Sequence, residues 1–392
     1  MAAGRPADDK HGKHDKHDKP HEQDKRTKSR QPPAATRPAM TTPRSSATTK
    51  TTVTSMHVAR LAQVSQSAVS RTFTPGASVS ELTRTKVNDA ARQLGYRPNA
   101  IARSLITKRS RIIGVVMSQL DNQFYPVVLE KLSQRLRRDG YHVLLFINDR
   151  DESDGVLAEI LQYQVDGIVM ASTVLSSALA RDCADAGSPV VLFNRMSRQA
   201  ANDLHPASAV TSDNEAGARM VARHLVAGGH QRIAYLAGLE ASSTNLDRER
   251  GFREELALLG TRIHSRAVGN YSFEGAQRAA RELFAVGQAA GHDRPDAVFV
   301  GSDHMAIAVM DVLRTELGLK VPEDVSVVGF DNVPQAAWGA YQLTTVEQPI
   351  DLMIEATATL LGEQIEGTAP PHAITVPCRL VVRASTRQGA NL

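Results

Sequence analysis

The stretch from Val58 to Arg71 reads VARLAQVSQSAVSR and decides the fold of the front of the chain. It predicts two short helices joined by a tight turn, with Val58, Leu61 and Ala62 on one face of the first helix. Ser65 stands where the second helix needs an N-cap, because its hydroxyl can accept a free backbone N–H. The stretch therefore predicts a helix-turn-helix, a motif that places the start of its second helix in the DNA major groove.

The second predicted helix carries polar side chains that can face DNA. Gln66 and Arg71 are residue types that bond the edges of adenine and guanine in the major groove, and Ser67 lies between them. We predict that all three read bases. Two alternatives stay open, because Arg71 can instead clamp a phosphate and Ser67 can contact only backbone or phosphate.

Charge is distributed unevenly along the 392 residues, whose formal net charge is +4. Residues 1–52 carry a net charge of +6, residues 53–111 carry +8, and residues 112–392 carry −10. A basic front on an acidic body is typical of a nucleic-acid-binding module joined to a second module. DNA contact is therefore expected only in the front of the chain.

Composition and periodicity divide the chain into four parts. Residues 1–52 are a predicted disordered basic tail, in which closely spaced histidines also suit metal binding as a less favoured interpretation. Residues 53–98 form the predicted helix-turn-helix DNA-binding domain. Residues 99–111 are a short helical segment with a linker, and residues 112–390 are a predicted two-lobed body.

The body is predicted from apolar runs that alternate with helical patterns. Residues 112–117 are a continuous apolar run, as expected for a strand buried on both faces of a sheet. Roughly ten such strands are too many for one small sheet, so we predict an α/β body of two doubly wound parallel-sheet lobes. The chain is expected to cross between the lobes near 208–213 and near 344–348, before an amphipathic helix at about 350–366.

Several function classes lack their sequence signals. The chain has no Walker-type phosphate loop, no Gly-x-Gly-x-x-Gly after the first strand and no Gly-x-Ser-x-Gly elbow. Cys183 and Cys378 have no metal-ligand spacing around them. We therefore predict no catalytic site, no metal and no cofactor. Because no apolar run reaches the roughly 18 residues of a spanning helix and no secretory signal is visible, we expect no membrane contact and a cytoplasmic location.

Short motifs stand in order along most of the chain. In the front they are Val64-Ser65-x-x-x-Val69-Ser70-Arg71, Thr85-x-Val87, Leu94-Gly95-Tyr96-x-Pro98-Asn99 and Ala102-Arg103-Ser104-Leu105. In the body they are Ile113-Gly114-Val115, Asp121-Asn122-x-Phe124-Tyr125, Ser326-Val327-Val328-Gly329-Phe330-Asp331, Leu343-Thr344-Thr345-Val346-x-Gln348-Pro349 and Arg383-Ala384-Ser385-Thr386. In this order and spacing they resemble the lactose-repressor-like (LacI/GalR-type) transcription regulators, from about Val53 to Arg387.

Two residues depart from the pattern of that family. His57 stands where the family usually has an acidic residue, and Gln63 stands where it has a glycine in the turn. A left-handed backbone costs a non-glycine residue roughly 1 kcal/mol, so the helix pair is expected to be set slightly differently. The departure bears on base preference more than on DNA binding.

The resemblance implies a hinge helix over Asn99–Leu105, which is too short to be stable alone in water. It is expected to fold when two copies meet on DNA, with Asn99 and Arg103 at the DNA and Leu105 wedged into a central base step through the minor groove. Leu105 as a linker residue packed on the body is the alternative. Because two copies must reach one site, the resemblance implies a homodimer on palindromic double-stranded operator DNA. The few residues after Arg387 also favour a dimer, since they leave no room for the appended helix of tetrameric members.

The resemblance also implies an effector site in the crevice at the carboxyl ends of the strands, within an effector-binding and dimerisation body. The candidate effector-binding residues are Asn122, Phe124, Tyr125, Asn194, Arg248, Tyr271, Ser302 and Asp331. An arginine that faces a carboxylate between aromatic walls suits a polyhydroxylated ligand. Arg248 as a solvated charge and Asp331 as a turn residue are the alternatives.

The predicted function is a sequence-specific DNA-binding transcription regulator, a repressor, under allosteric control of a small effector such as a sugar or related metabolite. The protein is predicted not to be an enzyme. The alternative from another class is a cytoplasmic carbohydrate-binding protein or enzyme that merely carries a basic tail.

Overall fold

The computed structural model of the chain describes residues 53–74, 76–99, 104, 109–147, 153–171, 182–183, 185–196, 207–285 and 294–387. They belong to two compact units, one ending at Arg97 and the other beginning at Pro98. The predicted tail and most of the predicted hinge helix, including Arg103 and Leu105, lie outside the described residues. Within the described ranges, no helix combines the length and apolar character that crossing a membrane requires.

Three helices form the first unit, namely α1 (Ser55–Ala62), α2 (Gln66–Thr72) and α3 (Glu81–Leu94). The turn between α1 and α2 closes at Gln63, whose φ of 55° is the left-handed conformation that favours glycine. Ser65 caps α2 as predicted, because its Oγ accepts a hydrogen bond from the Ala68 amide at 3.2 Å.

The three helices pack around a small core in which Val58, Val69 and Val87 are fully buried, one from each helix. Leu61, which was predicted to share a face of α1 with Val58 and Ala62, is 43% exposed, whereas Val58 and Ala62 are buried. The buried stripe of α1 runs instead through Ala59, whose small side chain lets α1 lie close to its neighbours.

The second unit contains two six-stranded sheets, which confirms the prediction of a two-lobed α/β body. Its strands are β1 (Ile112–Met117), β2 (His142–Ile147), β3 (Gly167–Ala171), β4 (Val190–Phe193), β5 (Ser208–Ser212), β6 (Ile233–Ala237), β7 (Ser265–Val268), β8 (Ala297–Val300), β9 (Ser326–Asp331), β10 (Thr344–Glu347), β11 (Ala373–Val376) and β12 (Arg379–Val381). Its helices are α4 (Phe124–Arg138), α5 (Ser153–Gln162), α6 (Asn214–Ala227), α7 (Ser243–Leu258), α8 (Phe273–Ala285), α9 (Asp303–Asp311) and α10 (Ile350–Glu366).

Each sheet forms the centre of one lobe. Lobe 1 has the strand order β11-β5-β4-β3-β1-β2, with every neighbouring pair parallel. Lobe 2 has the order β12-β10-β9-β8-β6-β7, in which only the β10–β12 pair is antiparallel. The inner strands are buried on both faces, which explains their continuous apolar runs, whereas Leu145 and Ile147 of the edge strand β2 are exposed.

The chain crosses between the lobes after β5, after β10 and again between β11 and β12. The sequence predicts the first two crossings and misses the third, because β11 and β12 are short and only partly buried. The crossings are bonded to one another. The Asp213 amide donates to the Val376 carbonyl at 2.9 Å, and Ser212 Oγ donates to Gln348 Oε1 at 2.8 Å.

Candidate functional site

The helix-turn-helix presents all three predicted base-reading residues at its surface. Gln66, Ser67 and Arg71 are exposed along α2. Gln66 Nε2 donates to Ser55 Oγ at 3.0 Å, so the first residue of α1 orients the first residue of α2. Ser67 Oγ lies 2.9 Å from the Oγ of the capping Ser65. No sequence pattern predicted the contact between Ser55 and α2.

The two departures from the family pattern both take part in local structure. His57 Nδ1 accepts a hydrogen bond from the Thr54 amide at 3.1 Å, which is the bond that an acidic residue makes in a capping box. Gln63 takes the left-handed turn position despite its Cβ. The helix-turn-helix therefore forms with both departures in place.

The predicted hinge helix is described only at two of its residues. Asn99 is exposed and lies outside regular secondary structure, and Ser104 is partly buried. The roles predicted for Arg103 and Leu105 stay predictions, because both residues lie outside the described part of the chain.

The structure brings all eight candidate effector residues of the body around one cavity between the lobes. Asn122, Phe124, Tyr125 and Asn194 line it from lobe 1, and Arg248, Tyr271, Ser302 and Asp331 line it from lobe 2. The cavity has a volume of about 10 Å³, roughly the space of one water molecule. A sugar-sized ligand can therefore enter only if the lobes or the lining side chains move.

Arg248 and Asp331 form the charged centre of this cavity. Arg248 Nη2 lies 4.0 Å from Asp331 Oδ1, and the guanidinium stacks on the Phe330 ring at 3.6 Å from its centroid. Arg248 Nε also donates to Asn214 Oδ1 at 2.8 Å, and Nη1 donates to the Gly301 carbonyl. Burial raises the pKa of Asp331 to about 6, and the nearby Arg248 guanidinium limits the rise.

Asp303 is a second buried carboxylate close to Asp331, and sequence analysis did not select it. It accepts hydrogen bonds from Thr345 Oγ1 and from the Val333 amide, and so joins the start of α9 to β10 and to the segment that follows β9. Burial and the Asp331 carboxylate raise the pKa of Asp303 to about 7. Ser302 precedes it and uses its Oγ to cap α9 by accepting from the Met305 amide at 3.4 Å.

Aromatic side chains form two walls of the cavity. The rings of Phe124 and Tyr125 meet edge to face, with their centroids 5.3 Å apart. The Tyr271 ring lies directly against Gly238, where a Cβ would approach the ring to 2.1 Å. Tyr271 Oη lies 3.3 Å from Thr244 Oγ1, so a glycine in one loop and a threonine in α7 hold the ring in place.

Three further lining residues were missed by sequence analysis, namely Gln119, Arg195 and Thr244. Arg195 of lobe 1 donates from Nη1 to Thr244 Oγ1 of lobe 2 at 3.0 Å, which bridges the crevice. Arg195 directly follows Asn194 at the end of β4, so its position next to a selected residue was the available signal. Thr244 and Gln119 carried none.

The cavity combines strained backbone with unpartnered polar atoms, as ligand-binding sites often do. Gln119, Asn194, Tyr271 and Asp331 all have positive φ angles. The buried atoms Gln119 Oε1 and Asn194 Oδ1 have no hydrogen-bond partner among the described residues. Such atoms can accept hydrogen bonds from ligand hydroxyl groups. Among the described residues, no group of three or more His, Cys, Asp or Glu side chains is placed to hold a metal ion.

Known proteins match both units of the chain. The lacI family of bacterial regulatory proteins matches residues 56–99, and a periplasmic binding protein-like domain matches residues 222–386. Catabolite control protein A of Priestia megaterium is 30% identical over 341 residues, which cover 86% of this chain and 99% of that protein.

Solved structures are similar over the same span. The lac repressor dimer bound to operator and the anti-inducer ONPF has a TM-score of 0.74 and 28% identity, covering 85% of this chain and 99% of that chain. The complex of the transcriptional regulator CelR with cellobiose has a TM-score of 0.63 and 30% identity, with the same coverage.

These relatives are regulators rather than enzymes, in agreement with the sequence-based prediction. The matches also confirm the family resemblance of the motifs and the two-part architecture. The chain belongs to the lacI family of bacterial regulatory proteins, which are DNA-binding transcription regulators.

Proposed function

We propose that this protein is a repressor that binds a palindromic operator as a homodimer. Its operator affinity changes when a small effector binds between the lobes. One observation carries the proposal. All eight residues selected for effector binding converge on one cavity, in a chain whose front forms a helix-turn-helix. Helix-turn-helix dimers read two half-sites, so the operator should have matching two-fold symmetry.

The head and the hinge have separate tasks in this proposal. Gln66, Ser67 and Arg71 contact base edges, and phosphate contacts from the basic front supply much of the affinity. Asn99, Arg103 and Leu105 act at the operator centre, where Leu105 opens a base step. Residues 53–98 thus form the DNA-binding domain, residues 99–111 the hinge and linker, and residues 112–390 the effector-binding and dimerisation domain.

Two observations support a homodimer. The operator-bound lac repressor to which the chain is similar is a dimer. The β2 edge of lobe 1 also exposes Leu145 and Ile147, apolar side chains on one face that a second copy can cover. A DNA-binding regulator works where the chromosome lies, so we place the protein in the cytoplasm.

The cavity suits a polyhydroxylated effector such as a sugar or a sugar derivative. Arg248 and Asp331 can bond adjacent hydroxyls, while Tyr271 and Phe124 pack on the apolar faces of the ligand. CelR, to which the chain is similar, is known in complex with cellobiose.

Contacts of the same residues link the effector site to the crossings between the lobes. Arg248 bonds Asn214 just after the first crossing, and Asp331 Oδ1 accepts from Gln348 Nε2 at 2.7 Å in the second. Ser212 completes the link by donating to Gln348. A ligand that repositions Arg248 or Asp331 therefore changes the bonds that set the angle between the lobes.

DNA binding by the full chain tests this proposal. Fluorescence anisotropy would compare a palindrome that has a central CpG step with a scrambled duplex, at two salt concentrations. The proposal predicts a preference for the palindrome that persists at the higher salt. Equal, steeply salt-dependent binding to both duplexes would show phosphate contacts alone and would contradict it.

A further inference from the structure

Arg195 carries a buried positive charge at the effector cavity. Its side chain is only 5% exposed, and its Nη1 donates to the Asn194 carbonyl at 2.7 Å and to Thr244 Oγ1 at 3.0 Å. The guanidinium also lies over the Tyr271 ring, 5.8 Å from its centroid. Both hydrogen-bond partners are neutral oxygens. No carboxylate of the described residues forms an ion pair with Arg195.

The described lining of the cavity carries less negative than positive charge. Among the described residues, Asp331 is the one carboxylate of the lining. Arg248 lies 4.0 Å from it, and the charge of Arg195 also lowers its pKa, so both guanidinium groups share this carboxylate. Asp303 does not line the cavity, and its two oxygens accept bonds from Thr345 and Val333. The described lining therefore holds two guanidinium groups against one carboxylate. A buried positive charge that is only partly balanced is costly, and an anion that binds beside Arg195 reduces that cost.

Two unpartnered oxygens at the same cavity indicate what else the ligand offers. Asn194 Oδ1 belongs to a side chain that is 3% exposed, and no described residue donates a hydrogen bond to it or to Gln119 Oε1. Amide oxygens only accept hydrogen bonds, so their partner must carry donors such as hydroxyl groups. Asn194 is the chain neighbour of Arg195. A ligand that satisfies both residues therefore needs a hydrogen-bond donor close to its anionic group.

We propose that the effector is an anionic polyol, a polyhydroxylated chain or ring that carries one carboxylate or phosphate group. The anion pairs with the Arg195 guanidinium, whose planar fork suits both groups, and ligand hydroxyls donate to Asn194 and Gln119. This inference rests on the proposed function, because it concerns the same cavity. It makes Arg195 the residue that selects anionic over neutral ligands.

Matched ligand pairs test the inference on the full-length protein. One arm compares D-gluconate and D-glucuronate with D-glucitol and D-glucose, and the other compares D-glucose 6-phosphate and D-ribose 5-phosphate with their parent sugars. Acetate and inorganic phosphate serve as anions without the polyol. Thermal shift and calorimetric titration should show at least tenfold tighter binding of an anionic polyol than of its neutral partner and of the bare anion. The arm that responds identifies the anionic group as carboxylate or phosphate.

Variants distinguish a loss of the preference for anionic ligands from a general loss of ligand binding in the cavity. Asn194→Asp keeps the side-chain size and places a carboxylate beside Arg195, so it should erase the preference for the anionic ligand and raise the Tm of the free protein. Arg195→Gln should also erase the preference. Arg253→Gln is the matched control, because Arg253 is an exposed α7 residue that pairs with Glu249, and it should leave the preference unchanged.

Three results would overturn the inference: a neutral sugar that binds as tightly as its anionic partner, no anionic polyol that raises the Tm at millimolar concentration, or a preference that survives Asn194→Asp. Operator binding measured on the same samples distinguishes failure of the anionic-effector proposal from failure of the proposed regulator function. A protein that prefers the palindrome and responds to a neutral sugar contradicts only the anionic effector. A protein without preference for the palindrome contradicts the regulator itself.

Discussion

At the scale of single residues, Gly329 shows how closely side chains and backbone pack behind the cavity between the lobes. The Asp303 carboxylate passes so close to the Gly329 backbone that a Cβ there would lie 2.1 Å from Asp303 Oδ1. This approach lets Asp303 bond the residues Val333 and Thr345 and so hold the strand that ends at Asp331. The glycine is needed for space, since it has no positive φ angle.

Gly329→Ala should therefore destabilise the protein by roughly 2–3 kcal/mol, because the carboxylate must move away from its hydrogen-bond donors. Urea denaturation of the full chain measures the change. Gly362→Ala is the control, because the space around Gly362 in α10 is open and alanine there should stabilise the helix by about 0.5–1 kcal/mol. Equal effects of the two substitutions would contradict the steric argument.

Residues at strand ends could be selected from the sequence, because a parallel sheet brings the carboxyl ends of its strands to one edge. Asp331 was selected in this way, whereas Arg248, which lies in α7, was selected from the family resemblance. Thr244 could not be selected, because its contact with Arg195 depends on the distance between two lobes, which no local pattern encodes. Arg195 was missed although it follows the selected Asn194 at the end of β4. The exposure of Leu61 was not predicted either, since periodicity alone does not show which residue of α1 faces a neighbouring helix.

At the scale of elements, the head depends on a turn that this sequence makes with an unfavourable residue. Gln63 has a φ of 55°, and its amide bonds the Arg60 carbonyl to end α1. The strain was foreseeable from the sequence, because a glycine is usual at this position in the family. The turn alone does not predict that α1 and α2 still pack through Val58 and Val69.

Gln63→Gly should relieve this strain and stabilise the head by up to about 1 kcal/mol, less the entropy that glycine adds to the unfolded chain. Hydrogen–deuterium exchange of the full chain should show slower exchange of the α1 and α2 amides. Lys86→Gly, at an exposed position in the middle of α3, is the control and should have the opposite effect, by about 1 kcal/mol. Faster exchange in both variants would contradict the assigned strain.

The proposed hinge is the element that joins DNA binding to effector binding. Leu105→Ala should weaken operator affinity at least about tenfold, equivalent to roughly 1.4 kcal/mol, because the smaller side chain cannot hold a base step open. Fluorescence anisotropy with the palindrome checks this. Leu258→Ala removes a leucine of α7 that is 78% exposed and should leave affinity unchanged. The wedge role fails if Leu105→Ala binds as tightly as this control.

At the scale of the whole molecule, hydrogen bonds connect the crossings between the lobes to one another and to residues that line the cavity. Cys378 Sγ donates to the Asp213 carbonyl across the third and first crossings, and Gly217 packs against the same sulfur. Two crossings were predictable from the changes in strand pattern. The third was not, because its strands are too short to give a pattern.

Stability should depend on pH through the buried carboxylates of lobe 2. The folded pKa of Asp303 is about 7, well above the 3.8 of the unfolded chain, so the folded protein binds the proton first and gains stability as pH falls through about 7. Between pH 8 and pH 6.5 the free energy of unfolding should rise by about 1 kcal/mol or less. Below pH 6.5 the buried His224 and His230, whose pKa values burial lowers, oppose this gain.

Urea denaturation at pH 8 and pH 6.5 checks this expectation, and Asp303→Asn should flatten the difference because it removes the titrating group. A wild-type protein that loses stability over this range, or a variant with the wild-type slope, would contradict the assignment.

The most direct test of the account measures operator affinity with and without a ligand that binds the cavity, in the wild type and in Arg248→Ala. Coupling of 1–3 kcal/mol predicts that the ligand changes the operator Kd of the wild type by about 5–150-fold. The same ligand should leave the operator Kd of Arg248→Ala unchanged, since the side chain that joins cavity and crossing is gone. A wild-type Kd that no cavity ligand alters, or a variant that responds like the wild type, would contradict control of DNA binding through this site.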